Sequence, residues 1–298
     1  MVDELVDSRF VCHFLSQPRI RTYFESIVTG QAYPQISLKQ VRETPVPLPA
    51  LPEQRLIADA LDIVDTQIGT LNRLIAKKRD LKQAAMQQLL TGKTRLPGFR
   101  GEWEEKKLGE IGLFRGGSGF PTRYQGVLEG EYPFFKVSDM NNDGNTTFMV
   151  NSNNSISETV RKELGAYVFP PQSIVFAKIG AAIFLERKKI LSQASCIDNN
   201  MMGFILLQAS AHHAFIHFLF LTIRLGNLVS TTALPSLNGN ELAELRFPIP
   251  PFDEQSAIAN VLSDMDAEIA VFEQRRDKTS DLRQGMMQEL LTGRTRLI

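Results

Sequence analysis

His213 and His217 stand four apart, the spacing at which one helix face can offer two imidazoles to a metal. No acid or cysteine nearby completes such a set, and the surrounding stretch, residues 211–225, is otherwise apolar, so packing explains the pair better. Gly92-Lys93-Thr94 resembles the end of a phosphate-binding loop, but that loop needs a glycine five positions earlier and Gln87 stands there. Glu104, Glu105, Lys106 and Lys107 read as a solvated charge run. The Pro-Pro pairs of Phe169-Pro170-Pro171-Gln172 and Ile249-Pro250-Pro251-Phe252 lack the amide or carboxylate that a base-gripping methyltransferase loop places before its prolines. No Ser/His/Asp or Cys/His arrangement can be argued. The reading is of a chain without catalytic residues, metal or cofactor.

What remains are side chains suited to DNA, on loops and at strand ends. Arg115, Ser118 and Arg123 lie in or beside a Gly-rich stretch, RGGSGFPTR. Lys136, Ser138 and Asp139 close a strand-like run, Lys178 precedes Gly180, and Asn199 and Asn200 follow Asp198. Arginine and lysine can bridge guanine O6 and N7, and asparagine can pair with the adenine edge. Charge argues against a strong phosphate grip. The chain has 33 Lys+Arg against 33 Asp+Glu, and residues 97–208 hold twelve of each. Phosphate neutralisation dominates most DNA affinity, so this stretch is expected to bind weakly by itself and to depend on partners.

The elements that must position these residues are legible from a repeat. Residues 52–96 and 253–297 align without a gap at an offset of 201, with 20 identities in 45 positions. In the first copy Ile57, Leu61, Val64, Ile68, Leu71 and Ile75 follow alternating steps of four and three; in the second Ile258, Leu262, Met265, Ile269 and Phe272 do so. This is the seam of a coiled coil. After a phase change it is expected to resume at Leu81, Met86, Leu89 and Leu90, and at Leu282, Met287, Leu290 and Leu291. Pro52 suits a first helical turn, and Gly92 and Gly293 suit left-handed C-caps. About 38 residues at ~1.5 Å each make a rod of roughly 57 Å. One rod cannot bury its seam alone, so the two copies are expected to pack antiparallel.

The repeat extends upstream. Ala32-Tyr33-Pro34 lies opposite Ala233-Leu234-Pro235, Val46-Pro47-Leu48-Pro49 opposite Phe247-Pro248-Ile249-Pro250, and a helical-looking stretch 9–28 opposite 210–229. The first unit lacks the counterpart of about residues 97–208. Within 97–251 the strand candidates are 132–137, 173–179 and 203–207; 103–114 is a strand or short helix start, 140–155 a loop, and 211–225 a buried helix. The Pro-rich exit 248–251 reads as a stiff extended connector. The fold class is α+β: a globular domain with a small mixed sheet, plus two long antiparallel coiled-coil helices. No run of 18 or more apolar residues predicts a membrane span. The acidic start, MVDELVDSRF, is no signal peptide, and two lone cysteines, Cys12 and Cys196, suit a cytoplasmic location.

The connector-plus-rod signatures VPLPALPEQ and FPIPPFDEQ, the shared rod ending LLTG(K/R)TRL, and the runs KLGEI, PFFKVSD and IVFAKIG are those of a known group. On them the chain resembles the DNA specificity subunit of type I restriction–modification systems. The resemblance implies two target-recognition domains held apart by two antiparallel helices, each domain reading half of a split double-stranded DNA target. It implies that the helices set the spacer and dock modification (methyltransferase) subunits, that restriction subunits join indirectly, and that catalysis belongs to those partners. The division expected is a C-terminal remnant of a first recognition domain (1–51), a first spacer helix (52–96), a complete recognition domain (97–251) and a second spacer helix (252–298). The incomplete first domain departs from the pattern and suggests a homodimer that restores two recognition domains. The rival readings are a coiled-coil scaffold that does not read DNA, and an inactive remnant.

Overall fold

A computed structural model describes residues 5–30, 35–207, 209, 211–229 and 234–297. The aligned residues Ala32, Tyr33, Pro34, Ser210 and Ala233 lie outside them. In chain order the regular elements are α1 (Ser8–Leu15), α2 (Pro18–Ile27), α3 (Leu38–Arg42), α4 (Leu51–Leu89), β1 (Glu104–Lys107), α5 (Leu108–Ile111), β2 (Gly112–Gly116), β3 (Tyr132–Phe135), β4 (Phe148–Met149), β5 (Ser155–Ile156), α6 (Glu158–Leu164), β6 (Ile174–Ala177), β7 (Lys188–Leu191), β8 (Cys196–Ile197), β9 (Met201–Leu206), α7 (His213–Thr222), α8 (Gly239–Ala243), β10 (Arg246–Ile249) and α9 (Phe252–Leu290). Short 3₁₀ turns, among them Val137–Asn141, complete the set. Among the described residues no helix is long and apolar enough to cross a membrane.

The two rods are single 39-residue helices, as the repeat predicts. Gly92 and Gly293 stop them at φ +68° and +73°, a left-handed conformation that suits a residue without a Cβ. The helix starts are alike too. Ala50 accepts from the backbone N–H groups of Glu53 and Gln54, and Pro251 from those of Glu254 and Gln255. Both glutamines are fully buried and act as latches. Gln54 Nε2 donates to Pro49 O (2.8 Å) while its Oε1 accepts from Asp7 N (2.9 Å). Gln255 Nε2 donates to Pro250 O (2.8 Å) while its Oε1 accepts from His212 N (2.8 Å). Asp7 and His212 are the N-caps of α1 and α7. Judged by these latches, α1 and α7 are the equivalent helices.

The chain forms two compact units, one of Met1–Leu81 with Met265–Ile298, the other of Lys82–Asp264. In the first, the helices run antiparallel: Glu53 meets Arg296, Asp65 meets Arg283, and Lys78 meets Glu268. Ile57 and Leu61 pack with Met287, Leu290 and Leu291, and Phe10, Phe14 and Ile20 of α1 and α2 close over them. Val64, Leu71, Ile75 and Ile269 are buried, while Ile68, Met265 and Phe272 are half-buried. The expected resumption of the seam fails at one position in each helix. Leu81 and Leu282 are exposed, whereas Thr279 is buried and Lys78 half-buried. After Ile75 the buried face has rotated away from both leucines. The helical-looking stretch 9–28 is two helices, broken where Pro18 begins the second.

The second unit holds the ten strands found among the described residues. A five-stranded sheet runs β2-β9-β6-β7-β4, antiparallel except for β4 with β7; a three-stranded sheet runs β5-β3-β8; β1 pairs with β10. Phe114, Phe176, Phe204 and Phe220 form one aromatic cluster, with Phe114 and Phe204 centroids 4.8 Å apart. Ile258 and Leu262 are buried in this unit. The Pro-rich exit is not merely a connector. Residues 246–249 form β10, paired in full register with β1. Pro248 fits there because a two-stranded ribbon asks for ladder donors on one side only. The loop expected over 140–155 contains the short β4, and the predicted buried helix is α7, ending at Thr222.

Candidate nucleic-acid interface

Four strand ends of the second unit converge. β2 ends at Gly116 opposite Met202, β6 ends at Ala177 opposite Met201, and β3 ends at Phe135 opposite Ile197. The backbone stitches the segments beyond them: Gly117 N donates to Met201 O (3.1 Å), Ser118 N to Ile197 O (2.9 Å), Lys178 N to Asn200 O (2.7 Å) and Asp198 N to Phe135 O (2.9 Å). Residues from four distant parts of the chain, Ser118, Lys136, Lys178 and Asn199 with Asn200, thus share one rim. Gly117 permits this closeness, because a Cβ there would collide with the backbone of Ile197 and Asp198. Ser118 is half-buried, as are Lys136 and Lys178, while Asn199 and Asn200 are exposed. Ser138, exposed, follows Lys136 on the 3₁₀ turn.

Two buried carboxylates underlie the rim. Asp139 Oδ2 accepts from Lys136 N (2.8 Å) and its Oδ1 from Asn153 Nδ2 (2.8 Å). Asp198 Oδ1 accepts from Asn200 N (3.1 Å). Burial pushes both carboxyls above the ordinary aspartate range, against the pull of these hydrogen bonds and of the Lys136 ammonium. Lys136 Nζ donates to Gln125 Oε1 (2.9 Å). The surface therefore offers ammonium, amide and hydroxyl groups on a firm base, the donor and acceptor types that read base edges. Among the described residues no three His, Cys, Asp or Glu gather as they would around a metal. His217 is buried, with its Nε2 3.1 Å from Lys188 O.

Arg115 and Arg123 are placed apart from that rim, beside α6. The Arg115 guanidinium stacks 4.0 Å above the Tyr167 ring, on a cavity also lined by Tyr132, Glu158, Arg161 and Lys162. Glu158 there is held down at about 2, chiefly by its hydrogen bond from Arg161. Arg123 meets Glu163, which also takes the Tyr124 hydroxyl. The sequence reading passed over Asn141, exposed at the end of the 3₁₀ turn, and the buried Lys188 and Lys189 of β7. Two adjacent lysines look like surface; only the flanking Ile190 and Leu191 hinted at a strand.

A second feature is repeated at the rod ends. Glu53 and Glu254 are both buried, and each is gripped by an arginine beyond the end of the other rod: Arg296 for Glu53 (2.6 Å from Nε) and Arg95 for Glu254 (2.6 Å from Nη2). Glu53 lies 201 before Glu254, and Arg95 lies 201 before Arg296. Arg296 holds the Glu53 carboxyl below its usual range. Trp103 Nε1 adds a hydrogen bond to Glu254 (3.0 Å).

A family described as "Type I restriction modification DNA specificity domain" matches residues 2–77 and 100–279. The MjaVIII specificity subunit of a type I restriction enzyme from Methanocaldococcus jannaschii is 24% identical over 301 residues, covering 95% of this chain and 70% of the relative. The putative MjaX specificity subunit from the same organism is 23% identical, covering 96% and 66%. Among solved structures, the S subunit of a type I restriction–modification system from M. genitalium superposes with a TM-score of 0.64 at 16% identity, covering 96% of this chain and 73% of that one.

Proposed function

The chain belongs to the type I restriction–modification DNA specificity family, and from that premise we propose that its second unit reads one half of a split double-stranded target. As a specificity subunit it is a non-catalytic, DNA-recognising component of a type I complex. The proposed division is 1–51 as part of a first recognition domain, 52–96 and 252–298 as spacer helices, and 97–251 as the complete recognition domain. The rim supplies base discrimination through Ser118, Lys136, Ser138, Lys178, Asn199 and Asn200, and Arg115 and Arg123 touch the phosphate backbone. The helices dock modification subunits, which supply much of the phosphate grip in the cytoplasm; restriction subunits join through them.

The observation that carries this reading is the convergence of donors from four separate strand ends on one surface over two buried carboxylates. The test is selection from a random duplex library, with and without the modification subunits. The expected result is a defined half-site whose affinity rises sharply when those subunits are present. Tight, sequence-specific binding by the lone chain at physiological salt would overturn the division of labour. Absence of any preference in the assembled complex would favour a scaffold.

A second reading concerns stoichiometry. Residues 45–48, the repeat counterpart of β10, pair with no strand among the described residues, whereas β10 pairs with β1. Two copies of the chain together would present two complete recognition domains. Light scattering that shows only monomers across micromolar concentrations would count against such a homodimer.

A further inference from the structure

The 3₁₀ turn Val137–Asn141 has three residues per turn, so residues three apart eclipse one another. Val137 packs on the core around Phe135 and Met149, and Met140 is buried in it. Ser138 and Asn141 are consequently on the opposite face, and both are exposed. Asn141 makes no described hydrogen bond through its side chain, unlike Asn142, Asn145, Asn151, Asn153 and Asn154 around it. One asparagine of this Asn-rich stretch thus presents its whole amide to solvent.

The turn is fixed from beneath. Asp139 closes its start through Lys136 N. Its last carbonyls are held by groups the sequence hides. Lys189 Nζ, from β7, donates to Met140 O (2.7 Å) and to Asn145 O, and Asn145 Nδ2 donates to Asp139 O (2.7 Å). Lys189 is 8% exposed, and its ammonium meets carbonyls rather than a carboxylate among the described residues. Asn145 itself is 3% exposed, and its Oδ1 accepts from Val150 N and Asn151 N, which ties the following loop to the same point. A buried ammonium is costly unless its donors are satisfied, and here one partner is a carbonyl of the turn, Met140 O, and the other, Asn145 O, belongs to the loop that follows it.

We infer that Asn141 reads an adenine of the DNA target, beside Ser138 on the same face, and that Lys189 is the residue that positions it. The inference rests on the reading of the rim as the DNA surface. The asparagine amide is the group that pairs bidentately with adenine N6 and N7 in the major groove. Holding it on a turn anchored at both ends removes the ordering cost that a free loop would pay on binding. Ser138, with a hydroxyl that can donate or accept, suits either neighbour of that base.

The test is duplex selection by the full chain with modification subunits added, comparing wild type with Asn141→Ala, Lys189→Met, Lys189→Arg and the double variant Asn141→Ala/Lys189→Met. Asn141→Ala is expected to turn one adenine position degenerate, a loss of about 10- to 100-fold in preference there, with the other positions kept. Lys189→Met should weaken the same position, Lys189→Arg should restore it, and the double variant should fall no lower than Asn141→Ala alone. A merely structural lysine would degrade all positions together, and that result would overturn the positioning role. An unchanged motif for Asn141→Ala, which changes an exposed residue and so leaves the fold intact, would overturn the assignment of the reader. If the wild type selects no motif, the rim reading falls, and this inference with it.

Discussion

The two cysteines show how far a side chain's surroundings govern its chemistry. Cys196 lies in β8 with no exposed surface, and burial raises its thiol to about 11, with the Glu158 charge adding to that and Arg161 opposing it. Cys12 is exposed on α1. Only the thiolate attacks a disulfide, so the raised thiol and its burial both hold Cys196 unreactive in the native chain. A thiol titration of the native chain is expected to show one fast group of two, lost in Cys12→Ser and kept in Cys196→Ser, with the second appearing on denaturation. Two fast groups would contradict the burial of β8. The same dependence on surroundings explains why the rim was only partly visible in sequence. Residue type nominated Lys136, Lys178 and Asn200, but nothing local separates Asn141 from its bonded neighbours. Nor does anything local mark Arg123, whose guanidinium meets Glu163, as different from Arg115.

For the helices, period and repeat were enough to place both rods within one residue at their starts, and the glycine stops were correct. What period could not give was the phase beyond Ile75, because an exposed leucine and a buried one look alike in a heptad. The contrast is measurable. Leu61 is fully buried, so Leu61→Ala is expected to cost about 2–5 kcal/mol of unfolding free energy. Leu81 is 47% exposed, so Leu81→Ala should stay within about 0.5 kcal/mol. Denaturant titrations of the two variants check this, and equal losses would restore Leu81 to the seam. The strands were harder to foresee. β7, Lys-Lys-Ile-Leu, is buried at every position, yet half of it is lysine. Its ammonium groups are accommodated by Glu186, by Ile223 O, and by the carbonyls of Met140 and Asn145. Such distant partners leave no trace in a local window. β10 was hidden for the opposite reason, since Pro248 and the two prolines after it suggest a connector.

Across the whole chain, opposite charges balance, and that sets what the protein can do alone. Of the four cations assigned to the DNA face, Arg115, Lys136 and Lys178 have no carboxylate partner within ion-pair distance among the described residues and Arg123 meets Glu163, so about three uncommitted cations stand on that face. Each phosphate neutralised contributes about −0.9 to the slope of log K against log salt, so the isolated chain is expected to show a slope of about −3. Fluorescence anisotropy across a salt series measures it, and a slope near −8 would mean a far more basic face than the structure offers. The sequence made the neutrality plain; it could not say which cations are already committed to Glu158, Glu163 or Glu244.

Pro248 of β10, with Pro250 and Pro251 just after it, bears on how the ribbon's edge can meet another strand. Pro248 lacks the amide that a foreign strand would need to extend the ribbon, and Pro250 and Pro251 deny it the next donors. Two short strands with a bare flank would ordinarily invite fibril-like stacking between molecules. On the β10 side, a flank short of donors makes a poor template for a neighbouring strand.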